Sequence, residues 1–318
     1  MSDPPVISTA VISTGDILAA RPARNVVDPN VPYAFLVEPE MTATGTLEDV
    51  ATIFLTNREC PFRCLMCDLW KNTTTETVPI GAIPKQIDFA LERLPSASHI
   101  KLYNSGNFFD KRAIPLADHS AIAQRLQPFR TVIVENHPRF CTDVCVDFSE
   151  QIDGQLEVAI GLETVHPQVL QRLNKQMTLG DFERAVQFLR GNDIHVRAFI
   201  LLRPPYLSEP EGIDWALRSL EFAFALGVGC CAVIPTRAGN GVMQQLEVDG
   251  VFTPPSLRSL EHVTETGLRM NAGRVFADLW DIEKLTACSD CESERIQRIR
   301  EMNLTQQVPS AVNCHCEK

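Results

Sequence analysis

The sequence predicts an α/β fold built on parallel strands, and two observations favour it. From Ala51 onward, apolar runs of strand length alternate with longer segments of helical period, which is the pattern of βαβ units. A chain of 318 residues with 45% hydrophobic content is also large enough to bury the core of a barrel-sized domain. We therefore expect one such domain with additions to it.

Six strands are predicted, each a short run of β-branched or other apolar residues. Between them lie segments whose apolar residues recur at helical spacing and so form a stripe along one face of a helix. One stripe begins at Ile83 with Pro84 near its start, and a capping box of Ser208 and Glu211 precedes another that Gly227 ends. The predicted strands are 51–56, 100–103, 131–135, 156–161, 195–202 and 229–234.

The chain divides by composition into three parts. Residues 1–48 contain six prolines and little periodicity, so we expect an extended N-terminal arm with one short helix around residues 16–21. Residues 49–235 hold the six strands and form the predicted core barrel. Residues 236–318 form a C-terminal extension, in which Thr253-Pro254-Pro255 is expected to cap a helix and four cysteines follow.

Charge and cysteine content narrow the class of protein. A net charge of -11 and a pI near 5.2 argue against broad electrostatic binding of nucleic acid, although a local basic patch stays open. No stretch approaches the roughly 18 consecutive apolar residues of a membrane span. Eleven cysteines without an apolar leader lead us to expect a reducing, cytoplasmic compartment, where cysteines are ligands or buried thiols.

The segment 60–67, Cys-Pro-Phe-Arg-Cys-Leu-Met-Cys, carries three cysteines with the spacing C-x3-C-x2-C. Three thiolates on one loop can bind three irons of a four-iron cluster and leave the fourth iron open to a cofactor. The same spacing also suits zinc ligands or a disulfide cluster. Because the segment directly follows the first predicted strand, where an α/β barrel holds its chemistry, we favour a cluster on Cys60, Cys64 and Cys67.

With this segment after its first strand, the chain resembles the radical S-adenosylmethionine (radical SAM) superfamily. The resemblance implies a partial (β/α)6 TIM-like barrel and a [4Fe-4S] cluster on Cys60, Cys64 and Cys67. It also implies that S-adenosylmethionine binds the open iron and is cleaved by one electron to a 5'-deoxyadenosyl radical. The electron would come from a donor such as a flavodoxin or a ferredoxin.

The resemblance further implies contacts to S-adenosylmethionine. Met66 stands where a side chain borders the adenine. The turn Ser105-Gly106-Asn107 matches a glycine-rich turn after the second strand, where Gly106 permits close backbone approach and positive φ; an ordinary βα turn is the alternative. Glu135 and Glu163 end two strands, and their implied role is hydrogen bonding to the ribose or amine, against the alternative of solvated carboxylates.

Three cationic residues are further candidates for the site. Arg197 lies inside an apolar strand and needs an anionic partner, either the cofactor's carboxylate or a structural ion pair. Lys175 and Arg203 are predicted on loops at the barrel top, where they could meet substrate, although most surface cations are simply solvated.

A second cysteine group lies in the C-terminal extension, as Cys288-x2-Cys291 and Cys314-x-Cys316. The intervening residues 292–303 have helical character, and a helical hairpin can bring the two pairs together into a four-thiolate site. Zinc and an auxiliary iron–sulfur cluster both suit the spacing, His315 is an alternate ligand, and buried free thiols are the other interpretation. Four further cysteines are expected to be core thiols: Cys141, Cys145, Cys230 and Cys231.

Residues 50–235, together with the cysteine-bearing tail, most resemble the archaeosine-synthesis radical SAM proteins and their bacterial relatives. The resemblance rests on the run that begins at Cys60 and on the segments 104–110, 161–164 and 203–205. Members of that family cleave a lysine-derived adduct on a deazaguanine base in transfer RNA. Fold and cofactor transfer between relatives more readily than substrate does. We therefore expect a radical SAM enzyme that acts on an unidentified small molecule; the alternatives are a modified base in transfer RNA and a non-catalytic zinc or iron–sulfur scaffold.

Overall fold

The computed structural model describes residues 11–285 and 288–317 of the chain and centres on an eight-stranded sheet. The strands lie in the sheet in chain order. β1 pairs antiparallel with β2, and every later pair of neighbours is parallel. The strands are β1 (Ala34–Met41), β2 (Leu47–Phe54), β3 (His99–Tyr103), β4 (Thr131–Asn136), β5 (Gln155–Glu163), β6 (His195–Leu202), β7 (Cys230–Pro235) and β8 (Arg274–Ala277).

The predicted α/β fold with a partial barrel is confirmed, and the six predicted strands correspond to β2 through β7. Two further strands were not predicted. β1 lies within residues 1–48, the predicted arm, and β8 lies within residues 236–318, the predicted extension. The sheet therefore reaches across both proposed boundaries, and the three-part division stays a prediction.

Helices follow the parallel strands and pack on the outside of the sheet. The capping box of Ser208 and Glu211 opens α7 as predicted, whereas the cap of α9 is Ser256 and not the preceding Thr-Pro-Pro segment. None of the described helices is both long and apolar enough to cross a membrane. The α-helices of the described residues are α1 (Thr14–Ala19), α2 (Ala82–Leu91), α3 (His119–Leu126), α4 (Asp143–Ser149), α5 (Pro167–Arg172), α6 (Leu179–Gly191), α7 (Glu209–Ala225), α8 (Val242–Val248), α9 (Leu257–Arg269) and α10 (Glu292–Thr305).

Alternate residues of each strand face opposite sides of the sheet, as the period of a strand requires. Apolar residues such as Ile53, Ile100 and Val158 join the main core with the helices. Charged residues at alternate positions, such as Lys101 and Glu157, are also buried, and they face the inside of the barrel. The core therefore lies between sheet and helices, and the inner face is left for polar and aromatic groups.

Ion pairs fill the inner face near the N-terminal ends of the parallel strands. Arg197 binds Glu157 and Glu40, each with a shortest distance of 2.6 Å, and Lys101 lies 2.5 Å from Glu40. Arg274 on β8 lies 3.0 Å from Glu157. Burial alone would raise the pKa of Glu40, but Arg197 and Lys101 hold it well below its usual range. This network, called the barrel floor below, lies at the end opposite the C-terminal end of β2.

Candidate active site at the barrel top

Residues 60–67, which carry the three cysteines and are called the cysteine loop below, follow the C-terminal end of β2. Two other parts of the chain hold this loop by its backbone. The amide of Leu65 donates to the carbonyl of Leu173, at the end of α5, over 2.8 Å. The side-chain amide of Asn240, in the loop after β7, donates to the carbonyls of Leu65 at 2.6 Å and Cys67 at 3.1 Å. Asn240 is buried, so these bonds are shielded from water.

The N-terminal arm braces the start of the cysteine loop, a contact that sequence reasoning did not predict. Glu59 forms ion pairs with Arg21 at 2.6 Å and with Arg24 of the arm. It also lies 3.3 Å from Arg63 within the loop. The guanidinium of Arg21 stacks over the ring of Trp70 at 4.4 Å from the centroid, a favourable cation–π distance. Residues of the predicted arm are therefore part of the site's support.

The three thiols of the cysteine loop are half-buried. Burial raises the pKa of Cys64 to about 12 and also raises the pKa of Cys60 and Cys67. The side-chain amide of Asn107 donates to the sulfur of Cys60 at 3.2 Å, and such a bond stabilises a thiolate. Because metal ligands must be deprotonated, bound iron would take the place of the three protons. The donor set and the nearby amide fit a cluster held by three thiolates.

The turn Ser105-Gly106-Asn107 lies against the cysteine loop, as the resemblance implied. A Cβ added at Gly106 would come 3.6 Å from the Cβ of Cys60, an ordinary contact distance. Gly106 does not use the positive φ that glycine permits, and the residue before it, Ser105, has φ 51° instead. Tyr33 of the arm shares a hydrogen bond of 2.9 Å with the hydroxyl of Ser105. The turn is therefore fixed by neighbours on both sides.

Glu135, at the end of β4, holds the same turn by its backbone. Its Oε1 accepts hydrogen bonds from the amides of Asn104 at 2.6 Å and Gly106 at 3.3 Å. Burial raises the pKa of Glu135 to about 7, against the opposing effect of these backbone donors. Glu135 is thus no freely solvated carboxylate, and contact with the cofactor's ribose or amine stays a prediction for it.

Glu163, at the end of β5, forms a buried ion pair with Lys175 over 2.6 Å, and each residue is less than 8% exposed. Glu163 has φ 65° at an irregularity in the pairing of β5 with β6. A Cβ on Gly161 would lie 2.2 Å from the carboxylate and 2.4 Å from the amine, so a side chain there would displace the ion pair. Burial would lower the pKa of Lys175, but Glu163 and the thiols Cys64 and Cys60 outweigh it and raise that pKa. The solvated alternative for Glu163 was wrong, and Lys175 stays a cation beside the cysteine loop.

Two other predicted site residues, Arg197 and Arg203, lie away from this group, and a third, Met66, lies within the cysteine loop itself. Arg197 belongs to the barrel floor. Of its two expected partners, the structural ion pair is therefore the one present, and the expected contact with a cofactor at the barrel top was wrong. The reason is its place as the third residue of β6, far from that strand's C-terminal end. Arg203 pairs with Glu209 at the start of α7 and donates to the carbonyl of Pro254 at 2.9 Å, rather than standing free for substrate. Met66 packs against a small apolar cluster that includes Ile17.

Several buried polar atoms at the barrel top have no hydrogen-bond partner among the described residues. Both side-chain atoms of Asn104 are in this state, as are the amide oxygens of Asn57 and Asn136 and the hydroxyl of Thr236. Asn57, Asn104 and Thr236 follow β2, β3 and β7 in that order, and Asn136 ends β4. Buried polar atoms normally find a partner, so this set fits a polar ligand at the mouth. Sequence reasoning missed them, although an asparagine directly after a predicted strand was a usable signal.

The two cysteine pairs of the C-terminal extension come together as predicted. The sulfurs of Cys288, Cys291, Cys314 and Cys316 all lie within 4.8 Å of one another, and the group could hold a metal ion. The alternate ligand His315 is exposed and is not part of this group. Of the four cysteines outside both groups, Cys145, Cys230 and Cys231 are buried and Cys141 is half-buried.

No family model matches the chain. An uncharacterized protein of Methanocaldococcus jannaschii is 22% identical over 316 residues, which cover 92% of this chain and 86% of that protein. Archaeosine synthase subunit beta of Methanosarcina acetivorans is 25% identical over 276 residues, which cover 80% of this chain and 78% of that protein. The subunit of the same name from Thermococcus kodakarensis is 28% identical over 166 residues, about half of each chain.

Solved structures of radical SAM enzymes share the fold. The archaeal Methanocaldococcus infernus Elp3 matches with a TM-score of 0.52 at 14% identity, over 69% of this chain and 59% of that one. Methylornithine synthase, PylB, matches with a TM-score of 0.50 at 14% identity, over 70% of this chain and 64% of that one. The chain thus spans less than two thirds of either structure. It has the radical SAM fold, and its resemblance to the radical SAM superfamily, and within it to archaeosine synthase subunit beta, is confirmed.

Proposed function

We propose that this chain is a radical SAM enzyme in which Cys60, Cys64 and Cys67 hold a [4Fe-4S] cluster and the barrel mouth holds S-adenosylmethionine. When bound, the cluster and S-adenosylmethionine would supply a one-electron reductive cleavage of S-adenosylmethionine to a 5'-deoxyadenosyl radical. That radical would take a hydrogen atom from an unidentified small-molecule substrate. One observation carries the proposal: the cysteine loop, the turn at Gly106 and the pair of Glu163 with Lys175 adjoin one another at the C-terminal ends of the strands.

The residues around the thiols adjust the charge of the site. Hydrogen bonds to sulfur and nearby charge set the reduction potential of an iron–sulfur cluster. Asn107 donates to the sulfur of Cys60, and the Lys175 cation acts on both Cys60 and Cys64. Both groups offset negative charge on the thiolates and therefore favour uptake of an electron. A flavodoxin or a ferredoxin is the proposed donor, and a reducing cytoplasm is the proposed compartment.

Aromatic residues line the inner face between the cysteine loop and the barrel floor. The rings of Tyr103 and Phe199 lie 6.2 Å apart between centroids, and the ring of Phe54 lies 6.1 Å from that of Tyr103. All three are only half-buried, so they leave surface for a ligand. A rigid, largely apolar wall suits the task of holding one C–H bond against a reactive carbon and keeping other groups away.

The chain's named relatives favour a second candidate function, action on a modified base in transfer RNA. Two of them are archaeosine synthase subunit beta. This function requires binding of transfer RNA that weakens steeply with salt, because contacts to phosphate release counterions. The net charge of -11 acts against such binding, so small-molecule chemistry stays the first proposal. Filter binding of bulk transfer RNA over a salt series distinguishes the two.

Reductive cleavage of S-adenosylmethionine tests the proposed enzyme directly. The chain is reconstituted with iron and sulfide without oxygen, reduced with dithionite, and assayed for 5'-deoxyadenosine. We expect product from the natural chain and from Cys141→Ala, a matched control outside both cysteine groups, but none from Cys64→Ala. Equal traces from the natural chain and Cys64→Ala would overturn the proposal. Iron retention together with that result would support the non-catalytic scaffold instead.

A further inference from the structure

The four cysteines Cys288, Cys291, Cys314 and Cys316, called the tail thiol group below, have the spacing of ligands to a single ion. The sulfurs of Cys288 and Cys314 are 3.8 Å apart, and those of Cys291 and Cys316 are 3.7 Å apart. Four sulfurs placed tetrahedrally at zinc–sulfur bond length would be about 3.8 Å apart. A four-iron cube spreads its thiolates further, because each one binds a different iron. The measured distances therefore favour one ion over an auxiliary cluster.

The chemistry of the tail thiol group agrees with a closed, structural site. Four thiolates with tetrahedral geometry are typical of zinc, and they leave no open position for a substrate. The guanidinium of Arg295 donates from Nε to the sulfur of Cys291 at 3.2 Å. Backbone amides of Asp290 and Cys291 donate to the sulfur of Cys288. Such outer donors orient metal ligands and stabilise their negative charge.

The tail thiol group joins the two ends of a hairpin built on α10. Cys288 and Cys291 directly precede α10, whereas Cys314 and Cys316 end the segment that returns along it. An ion bound to all four would tie the beginning of α10 to the returning segment. Arg298, within α10, donates to the carbonyl of Ser310 in that segment at 2.9 Å and so reinforces the same hairpin.

Helix α10 covers the place where the two outer strands of the sheet approach each other. It packs against α9, β8 and β1. Gln306, the residue directly after α10, accepts from the amide of Val275 at 2.8 Å and donates to the carbonyl of Val275 at 3.0 Å. Asn303 exchanges the same two bonds with Ala277, each at 2.8 Å. Two side-chain amides thus replace the missing neighbour of the edge strand β8, which would otherwise expose unpaired backbone groups.

We propose that the tail thiol group binds one zinc ion and that this ion fastens α10 over the gap between β8 and β1. The site is separate from the cysteine loop in its residues. The proposal does not depend on cleavage of S-adenosylmethionine. It selects zinc over an auxiliary iron–sulfur cluster, both of which suit the spacing of the cysteines.

Metal content of the full chain tests the zinc assignment. We expect about one zinc per chain in the natural protein and in Cys60→Ala/Cys64→Ala, and a loss of most of it in Cys288→Ser/Cys291→Ser. Loss of iron and sulfide rather than zinc from the latter variant would overturn the assignment in favour of a cluster. Unchanged zinc in that variant would overturn it too.

Hydrogen exchange of the amides of Val275 and Ala277 tests the fastening role, because the acceptor of Ala277, Asn303, lies on α10 and that of Val275, Gln306, directly follows it. We expect at least tenfold faster exchange at both in Cys288→Ser/Cys291→Ser, with β4 unchanged. Zinc loss without faster exchange would refute the fastening role. If that variant does not fold, cobalt is introduced into Cys60→Ala/Cys64→Ala/Cys67→Ala, which keeps the tail thiol group. Absorption bands of tetrahedral cobalt with thiolate ligands are expected, and their absence would refute the site.

Discussion

Arg274, the first residue of β8, donates a hydrogen bond of 3.2 Å to the backbone carbonyl of Met41, the last residue of β1. These strands are the two outer strands of the sheet, so the sheet curls until the Arg274 side chain can bridge its two edges at this level. The barrel floor lies beside this contact, with Glu40 and Glu157 shared among three cations. Because the floor closes this end, we expect a substrate to enter at the end that carries the cysteine loop.

Replacement of Glu40 tests the barrel floor. Glu40→Gln leaves Arg197 and Lys101 with too little negative charge, and loss of one partner of a buried ion pair typically costs about 3–5 kcal/mol. We expect a fall of that size in the free energy of unfolding, measured with urea at pH 7. Glu38→Gln, on the same strand but 57% exposed at its side chain, is the matched control and should change stability little. Equal stability of the two variants would contradict the role of the floor.

Acid should weaken the barrel floor in a defined direction. The pKa of Glu40 and that of Glu157 are both lowered in the folded chain, because Arg197 and its cationic neighbours outweigh burial. A lowered folded pKa contributes stability that is present above the unfolded value, here 4.5, and is lost as pH falls through the folded value. We expect the free energy of unfolding to decline below pH 4.5, and to decline less steeply in Glu40→Gln. Parallel curves for the natural chain and the variant would contradict this.

Asn240 should decide how well the cysteine loop keeps its iron. Asn240→Ala removes the two hydrogen bonds to the carbonyls of Leu65 and Cys67, and also the bond that Oδ1 accepts from the amide of Met243 at 2.9 Å. Polar groups left without a partner in this way cost about 1–3 kcal/mol. We expect a lower iron content after reconstitution and faster loss of iron to a chelator. Asn192→Ala is the control, because exposed Asn192 donates a similar bond to the carbonyl of Phe188. Equal iron retention in both variants would show that Asn240 does not position the loop.

Local patterns in the sequence predicted the six inner strands and the cysteine loop, because an apolar run and a cysteine spacing are both visible within ten residues. β1 escaped because Glu38, Pro39 and Glu40 interrupt its apolar pattern. The Glu40 side chain, 11% exposed, is shielded only because the sheet curls around it, whereas Glu38 points to solvent. β8 escaped because it is four residues long and begins with Arg274.

The support of the candidate site could not be predicted from the sequence, since its contacts join distant parts of the chain. Asn240 lies 175 residues from Leu65, and Arg197 lies 157 residues from Glu40. No local pattern encodes such a pairing. The position of Arg197 inside an apolar strand showed that it needs an anion, but only the topology showed that its anions come from β1 and β5.

The pair of Lys175 and Glu163 should behave as one unit. Lys175→Met leaves the Glu163 carboxylate buried without its cation, which we expect to cost about 3–5 kcal/mol, whereas Lys175→Met/Glu163→Gln should recover part of the loss. Urea unfolding of the single and double variants gives the coupling energy. Arg184→Met, at a pair whose arginine side chain is 69% exposed, should cost no more than about 1 kcal/mol. Additive effects of the two changes at Lys175 and Glu163 would contradict the coupling.

Gly161→Ala is the sharpest test of the site, because it adds only one methyl group beside the ion pair of Glu163 and Lys175. In Gly161→Ala the new Cβ would collide with the carboxylate of Glu163 and the amine of Lys175, at 2.2 Å and 2.4 Å, so the pair must move. We expect a loss of about 1–3 kcal/mol in stability and a large fall in production of 5'-deoxyadenosine. Gly191→Ala is the matched control. It ends α6 with open space around it, and alanine there should stabilise the chain by about 0.5–1 kcal/mol. If Gly161→Ala keeps full cleavage activity, the position of the ion pair does not matter to the reaction, and Glu163 loses its proposed place in the site.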